Sequence, residues 1–228
     1  MSEAEGTLTQ LTFSSSGLAG ELVCPQRIQP RPGQYLLARA LDLPDPLPTV
    51  LFPASLPGTA LSVAAPLPKH WMAGQHLHLR GPLGHGFTLS ANSRRVALAS
   101  LDTNAERLLP LMLLALKQGA NVAFYSITPP STLPPEVEIL PLDELREASG
   151  WADYLALDIP ASRLVELPDL VGLTHGKQFP CTAEALVLTD IPCTGLAQCG
   201  LCSVLTKKGW KLACQDGPVF DLNLLGEK

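Results

Sequence analysis

The chain has 228 residues, of which 16 are Lys or Arg and 21 are Asp or Glu, giving a formal net charge of −5. This acidic balance argues against a nucleic-acid partner, which would require a basic surface. With 46% hydrophobic and 16% charged residues, the composition is that of a folded globular protein. The sequence has no apolar run long enough to span a membrane, and segment 1–6 is polar and acidic, unlike a secretory signal. We therefore expect a cytoplasmic protein without membrane attachment.

The N-terminal third consists of short apolar runs separated by Pro and Gly, from Leu8 to Phe87. In the run His76–Arg80 polar and apolar side chains alternate, as they do in a strand with one face in solvent. Several such strands at close spacing predict a small antiparallel β-barrel.

The pattern changes near Arg94, where strands begin to alternate with helices. Asn104 is a plausible helix N-cap and Gly119 a plausible C-cap. This alternation predicts a parallel sheet with right-handed crossovers. Strands are predicted at 95–100, 121–126, 137–140 and 154–157, and helices at 104–118, 142–149 and 161–167.

The predicted fold class is therefore α+β with several domains. An N-terminal antiparallel β-barrel is expected at 1–92 and a small parallel α/β domain at 93–177. A C-terminal domain rich in Cys and Gly is expected at 178–228, with further strands at 185–188 and 210–213.

The C-terminal domain contains a cluster of four of the six cysteines, Cys193, Cys199, Cys202 and Cys214. Four thiolates can hold either a tetrahedral zinc ion or an iron–sulfur cluster. The spacing x5, x2, x11 differs by one inserted residue from the start of the plant-type [2Fe–2S] pattern, and it lacks the second short Cys pair of a zinc ribbon. We favour a [2Fe–2S] cluster, with zinc and free thiols as alternatives. Cys181 is kept as a substitute ligand.

Three stretches carry a more specific pattern. They are Cys214–Phe220 (Cys-Gln-Asp-Gly-Pro-Val-Phe), Gly81–Phe87 (Gly-Pro-Leu-Gly-His-Gly-Phe) and Pro32–Tyr35 (Pro-Gly-Gln-Tyr). Together with the order of domains, they resemble the electron-transfer subunit family of type B dihydroorotate dehydrogenase, which is ferredoxin-reductase-like. The resemblance implies a barrel of the FAD-binding type. It also implies that electrons pass from a nicotinamide through FAD and a [2Fe–2S] cluster to a catalytic partner subunit with its own flavin.

The family's FAD contacts are matched in part. The Arg-Pro-x-Ser pattern of the family reads Phe-Pro-Ala-Ser here, so Phe52 stands where a guanidinium would bind the pyrophosphate. Arg39 is a candidate to replace it from another strand. The glycines of the stretch Gly81–Phe87 can also be explained as a tight turn, and FAD binding is left open. The residues implied as FAD contacts are Pro53, Ser55, Gly81, Gly84 and Gly86.

The nicotinamide site is matched less well. A dinucleotide-binding domain needs glycines between its first strand and helix. The connection Ser100–Ala105 has none, and Asp102 within it would repel phosphate. We do not expect NAD to bind in the usual mode, and we interpret the α/β domain as a degenerate scaffold.

The leading hypothesis is an electron-transfer subunit rather than a stand-alone catalyst, with no catalytic residue of its own. It would pass single electrons to a partner oxidoreductase such as dihydroorotate dehydrogenase. The apolar stretch Pro218–Leu225 is the expected docking edge, and Trp71 and Trp210 are expected to be packing residues. The alternative is a non-enzymatic scaffold or assembly module with a structural metal in its tail.

Overall fold

The computed structural model describes residues 2–14, 16–42, 46–102, 104–130, 133–172, 178–191, 193 and 195–225. The strands are β1 (Ser2–Ser14), β2 (Gly17–Val23), β3 (Tyr35–Ala40), β4 (Thr49–Leu51), β5 (Leu61–Val63), β6 (Gln75–Leu83), β7 (Arg95–Ser100), β8 (Asn121–Ser126), β9 (Val137–Leu140), β10 (Tyr154–Pro160), β11 (Thr182–Leu188), β12 (Ser203–Thr206), β13 (Gly209–Leu212) and β14 (Val219–Asp221). The helices are α1 (Leu109–Lys117), α2 (Leu145–Trp151), α3 (Leu167–Leu170) and α4 (Ala213–Asp216). Short 3-10 segments lie at Gln26–Ile28, Ala105–Leu108, Leu142–Glu144, Ala161–Glu166 and Leu222–Leu224. None of the helices in the described part of the chain has the length and apolarity needed to cross a lipid bilayer.

The N-terminal sheet is antiparallel, with the strand order β4-β3-β6-β1-β2-β5. In β6 the side chains of Leu77 and Leu79 are buried while His76 and His78 face solvent, so the alternation read from the sequence is confirmed. The inward side chains form one apolar core that also contains Trp71. Burial of this apolar surface stabilises the sheet.

The second sheet is of the α/β type and has the order β14-β11-β10-β7-β8-β9. Strands β7 to β11 run parallel, and β14 is antiparallel at one edge. Asn104 caps the first helical segment as predicted, because its side-chain oxygen accepts the N–H of Glu106 at 2.8 Å. The first turn after this cap is 3-10, and α1 begins at Leu109. The predicted parallel sheet is therefore confirmed.

Two strands of the predicted C-terminal domain belong to this α/β sheet. Strand β11 pairs in parallel with β10 along its whole length, and β14 pairs with β11. The sheet thus runs across residue 178, where the C-terminal domain was expected to begin. The remaining part of that segment forms the hairpin β12–β13 and the loops that carry the cysteines.

The apolar stretch Pro218–Leu225 is not an exposed edge. Phe220, Leu222 and Leu225 are buried in the core that fills one face of the α/β sheet. The prediction that this stretch docks a partner is wrong, because β14 hydrogen-bonds to β11 and its side chains pack inward. Conversely, Trp210 is 69% exposed, against the expectation that it packs.

Candidate metal centre

The hairpin β12–β13 brings the last two cysteines of the cluster together. Cys202 directly precedes β12, and Cys214 lies in α4, directly after β13. The backbone N–H of Ala213 donates to the Cys202 carbonyl at 2.9 Å, which closes the open end of the hairpin. The two cysteines, twelve positions apart in the sequence, become neighbours because the two strands pair antiparallel.

The loop before the hairpin has an unusual backbone. Gly195, Ala197 and Gly200 all have positive φ, at 73°, 58° and 71°. Glycine adopts this region without a steric penalty, whereas for alanine it costs roughly 1–2 kcal/mol. The repeated left-handed turns curl the loop so that its N–H groups point inward, toward the cysteine sulfurs. The Ala197 N–H, for example, hydrogen-bonds to the sulfur of Cys214.

Side-chain contacts join the four cysteines in two pairs. The Cys199 side chain hydrogen-bonds to Cys193, and the Cys214 thiol hydrogen-bonds to Cys202. The two pairs lie close to each other, and a negative charge on Cys193 therefore raises the pKa of Cys214. Among the residues that the structure describes, no group of three or more His, Cys, Asp or Glu side chains has the geometry of a metal-ion site. The structure thus presents two thiol pairs side by side.

The two pairs differ in their electrostatics. The backbone N–H of Gln198 lowers the pKa of Cys193 to about 6, helped by hydrogen bonds from Cys199. Burial raises the pKa of Cys214 to about 12, and Cys202 adds to this effect. Because the thiolate is the form that binds metal, the loop N–H groups stabilise a ligand-ready state at Cys193. The buried Cys214 requires a nearby positive charge to lose its proton.

The other two cysteines lie elsewhere. Cys24 is buried in the core of the N-terminal sheet, and its carbonyl accepts from the Gln29 side chain at 3.2 Å. Cys181 immediately precedes β11. Burial raises the pKa of its thiol, and the negative charge of Asp153 raises it further. The four clustered cysteines are therefore the set that the structure brings together. Cys199 is exposed, whereas Cys202 and Cys214 are buried.

The three sequence stretches that carry the family pattern meet at one junction beside the cysteines. The Gln34 side-chain amide donates to the Gly84 carbonyl at 3.0 Å, and the His85 N–H donates to the Gly217 carbonyl at 2.6 Å. A Cβ on Gly84 would lie 2.9 Å from the Gly217 oxygen. The junction locks the cysteine-bearing segment against the N-terminal sheet. The sequence showed each stretch separately but not their contact.

This junction also accounts for the glycines predicted to contact FAD. A Cβ on Gly86 would lie 2.6 Å from the Pro32 carbonyl, and one on Gly81 would lie 3.3 Å from the Tyr35 carbonyl. Gly84 is packed against Gly217, as described above. The chain's own packing therefore requires glycine at positions 84 and 86 and leaves little room for a side chain at position 81.

The strand predicted to hold the FAD pyrophosphate presents an aromatic contact. Phe52 packs against Tyr35 with ring centroids 5.8 Å apart and planes tilted by 53°. Pro53 forms an isolated bridge to Val63, and the Ser55 hydroxyl accepts the Ser62 N–H at 2.9 Å. Arg39, the candidate substitute for the missing arginine, is exposed on β3 opposite His78. Pro53 and Ser55 thus make contacts within the N-terminal sheet, and Phe52 brings no charge to the position of the family's arginine.

A buried ion pair lies at the carboxyl ends of β7 and β10. Arg107 Nε donates to Asp158 Oδ2 at 2.9 Å, and a second guanidinium nitrogen donates to Asp102. Asp158 is 0% exposed and Arg107 is 5% exposed. Burial raises the pKa of Asp158 to about 6, against the lowering effect of Arg107.

This ion pair occupies the point of the sheet where dinucleotides bind in other α/β proteins. The connections from β7 and β10 run to opposite sides of the sheet, which makes the gap between these strands the topological switch point. The sequence identified Asp102 there but missed Arg107 and Asp158. The available signal was Asp158 itself, a charge inside an otherwise apolar strand.

Comparison with known proteins agrees with this architecture. Residues 194–226 match the profile of the iron-sulfur cluster binding domain of dihydroorotate dehydrogenase B. The match includes three of the clustered cysteines and begins one residue after Cys193. No curated protein sequence matches the chain.

Solved structures share the fold at low sequence identity. The structure of an NADH-dependent reduced ferredoxin-NADP oxidoreductase has a TM-score of 0.75 at 16% identity, covering 98% of this chain and 90% of that one. Phthalate dioxygenase reductase, a modular protein for electron transfer from pyridine nucleotides to [2Fe–2S], has a TM-score of 0.61 at 11% identity, covering 83% and 70%. Ferredoxin-NADP+ reductase from Plasmodium falciparum has a TM-score of 0.61 at 10% identity, covering 82% and 96%.

The fold and the matched segment point to the same group of proteins. The chain has a ferredoxin-reductase-like fold, and near its end residues 194–226 match the model of the iron–sulfur cluster binding domain of dihydroorotate dehydrogenase B, which supports its resemblance to the electron-transfer subunits of that family.

Proposed function

We propose that the chain is an electron-transfer subunit that holds a [2Fe–2S] cluster and passes single electrons to a partner oxidoreductase. The observation that carries the proposal is the pairing of four thiols beneath a loop of inward N–H groups. The ligands would be Cys193, Cys199, Cys202 and Cys214.

The donor set fits a cluster with two metal positions. Each iron of a [2Fe–2S] cluster takes two protein sulfurs, so two adjacent thiol pairs supply what it needs. A single zinc ion would instead require all four sulfurs around one point. When bound, such a cluster accepts and releases one electron at a time. The loop N–H groups that hydrogen-bond to Cys193 and Cys214 would stabilise the negative charge on the sulfurs.

The exposed side of the centre is apolar and suits a protein partner. Cys199 is exposed, and Leu196 and Leu201 on either side of it are 51% and 67% exposed. Trp210 projects from the neighbouring hairpin. Aromatic and large apolar side chains of this kind are typical anchors of protein interfaces. We propose that a flavoprotein subunit like dihydroorotate dehydrogenase docks here, over the exposed Cys199.

The proposed function does not depend on FAD or NAD in this chain. Phe52 stands at the position of the family's arginine, and the implied glycine contacts are used in packing. The switch-point crevice contains the Arg107–Asp158 ion pair. The charged anchor for the FAD pyrophosphate and the glycines for NAD are therefore both missing from the positions that the family uses, and no step of the proposal passes through either cofactor.

A series of Cys→Ser variants tests the ligand set. Cys202→Ser should lose most of the iron and acid-labile sulfide of the wild-type protein, because a buried ligand is removed from one pair. Cys24→Ser and Cys181→Ser are matched controls and should keep both. Colourless protein with one zinc per chain would contradict the proposal and favour a scaffold with a structural metal.

A further inference from the structure

Tyr35, the first residue of β3, reaches the cysteine loop from the N-terminal sheet. Its side chain is 0% exposed, and its ring is held in place by the contact with Phe52. A Cβ built on Gly195 would lie 3.6 Å from the Tyr35 hydroxyl oxygen. The hydroxyl therefore lies against the loop between the first two clustered cysteines.

This hydroxyl has no hydrogen-bond partner among the residues that the structure describes. Leaving a buried hydroxyl unpaired costs roughly 1–3 kcal/mol, and native proteins rarely do so without a reason. A phenylalanine would fill the same space without this cost. The unpaired hydroxyl points to a partner outside the part of the polypeptide that the structure describes.

The surroundings of the hydroxyl identify that partner. After burial, negative charges on Cys214, Cys202 and Cys193 raise the pKa of Tyr35, while Arg80 lowers it. Three of the four clustered cysteines are thus close enough to act on the phenol. The group that would fill the space between these cysteines and the hydroxyl is the cluster itself.

We propose that the Tyr35 hydroxyl donates a hydrogen bond to a sulfur of the iron–sulfur cluster and so raises its reduction potential. Tyr35 is then a positioning and tuning residue, and the inference rests on the proposed function. The reduced form carries one more negative charge, which is spread over the sulfurs. A donor at a sulfur therefore stabilises the reduced form more than the oxidised form, as hydrogen bonds to iron–sulfur centres do generally.

The first test is the reduction potential of the holoprotein with Tyr35→Phe. The variant should keep its iron and sulfide but be reduced with an equilibrium constant about tenfold smaller, which is about 59 mV lower for a one-electron couple. Tyr125→Phe is the matched control. Tyr125 is buried in the same core, but its neighbouring charges are Glu138 and Glu144 rather than cysteines. The reduction potential of the Tyr125→Phe variant should equal that of the wild type.

A second measurement needs no variant. Tyrosine fluorinated at ring position 3 is a stronger hydrogen-bond donor, and the chain has three tyrosines, of which Tyr35 is the one placed at the cysteines. Protein labelled in this way should have a raised potential. An unchanged potential in both experiments, at full iron and sulfide content, would overturn the hydrogen bond alone. Wild-type protein without iron and sulfide would overturn the proposed function with it.

Discussion

Replacing Arg107 with methionine should destabilise the chain by about 3–5 kcal/mol, because a buried carboxylate loses its charge partner. Asp158 is fully buried, its Oδ2 accepts from Arg107 at 2.9 Å, and its Oδ1 has no partner among the described residues. Methionine keeps most of the apolar volume of arginine, so the loss reports mainly on charge and hydrogen bonding. For a chain of this length the expected fall in Tm is roughly 6–20 °C.

The loss should depend on pH in a defined direction. Burial raises the folded-state pKa of Asp158 to about 6, above the unfolded value of about 3.9. The folded state therefore prefers the protonated carboxyl, and stability falls as pH rises between these two values. Without Arg107 the folded pKa rises further. Below about pH 5 the Asp158 carboxyl is protonated in both folded proteins, so it contributes little to the difference between their free energies of unfolding. As the pH rises through 6, the free energy of unfolding of the variant falls further below that of the wild type.

Urea unfolding at pH 5 and pH 8 measures both effects. Arg95→Met is the matched control, since Arg95 lies 3.9 Å from Asp153 in a solvent-exposed pair that should contribute less than about 1 kcal/mol. Adding Asp158→Asn to Arg107→Met should restore part of the loss, because the unpaired charge is gone. A loss no larger than that of Arg95→Met, or one that is the same at both pH values, would refute the reasoning.

Three further predictions concern the junction, the partner and the donor. Gly84→Ala should destabilise the chain by about 1–3 kcal/mol more than Gly74→Ala in thermal unfolding, since both glycines have positive φ but the new Cβ meets Gly217 only at position 84. Trp210→Glu should slow electron transfer to a dihydroorotate dehydrogenase catalytic subunit at least about tenfold, while the rate of oxidation by ferricyanide stays unchanged. Phe13→Glu, an exposed position on the N-terminal sheet, is the control and should leave both rates unchanged. Equal effects of the two variants would count against the docking face. NADH should leave the visible absorbance of the oxidised protein unchanged while dithionite bleaches it; bleaching by NADH would show that the buried ion pair does not close the crevice.

Local patterns in the sequence predicted much of the fold. The alternation in β6, the cap at Asn104 and the strand–helix alternation after Arg95 are each encoded within a few residues, and each was found. The clustered cysteines could be recognised for the same reason, because three of them lie within ten residues and the fourth follows one hairpin later.

Long-range pairing was not predictable in the same way. The run Pro218–Leu225 is apolar, and an apolar run suits a buried edge strand as well as a docking surface. Its pairing with β11 decides between the two, and nothing within the run specifies that pairing. The position of Tyr35 against the cysteine loop likewise depends on the junction of three stretches that are spread between residues 32 and 220.

Iron and acid-labile sulfide content, measured on anaerobically purified protein together with the electron paramagnetic resonance of the dithionite-reduced sample, tests the central claim most directly. The paired thiols predict about two irons and two sulfides per chain and a signal from a single unpaired electron on reduction. Protein that lacks both iron and sulfide, and that gives no signal after reduction, would contradict the account.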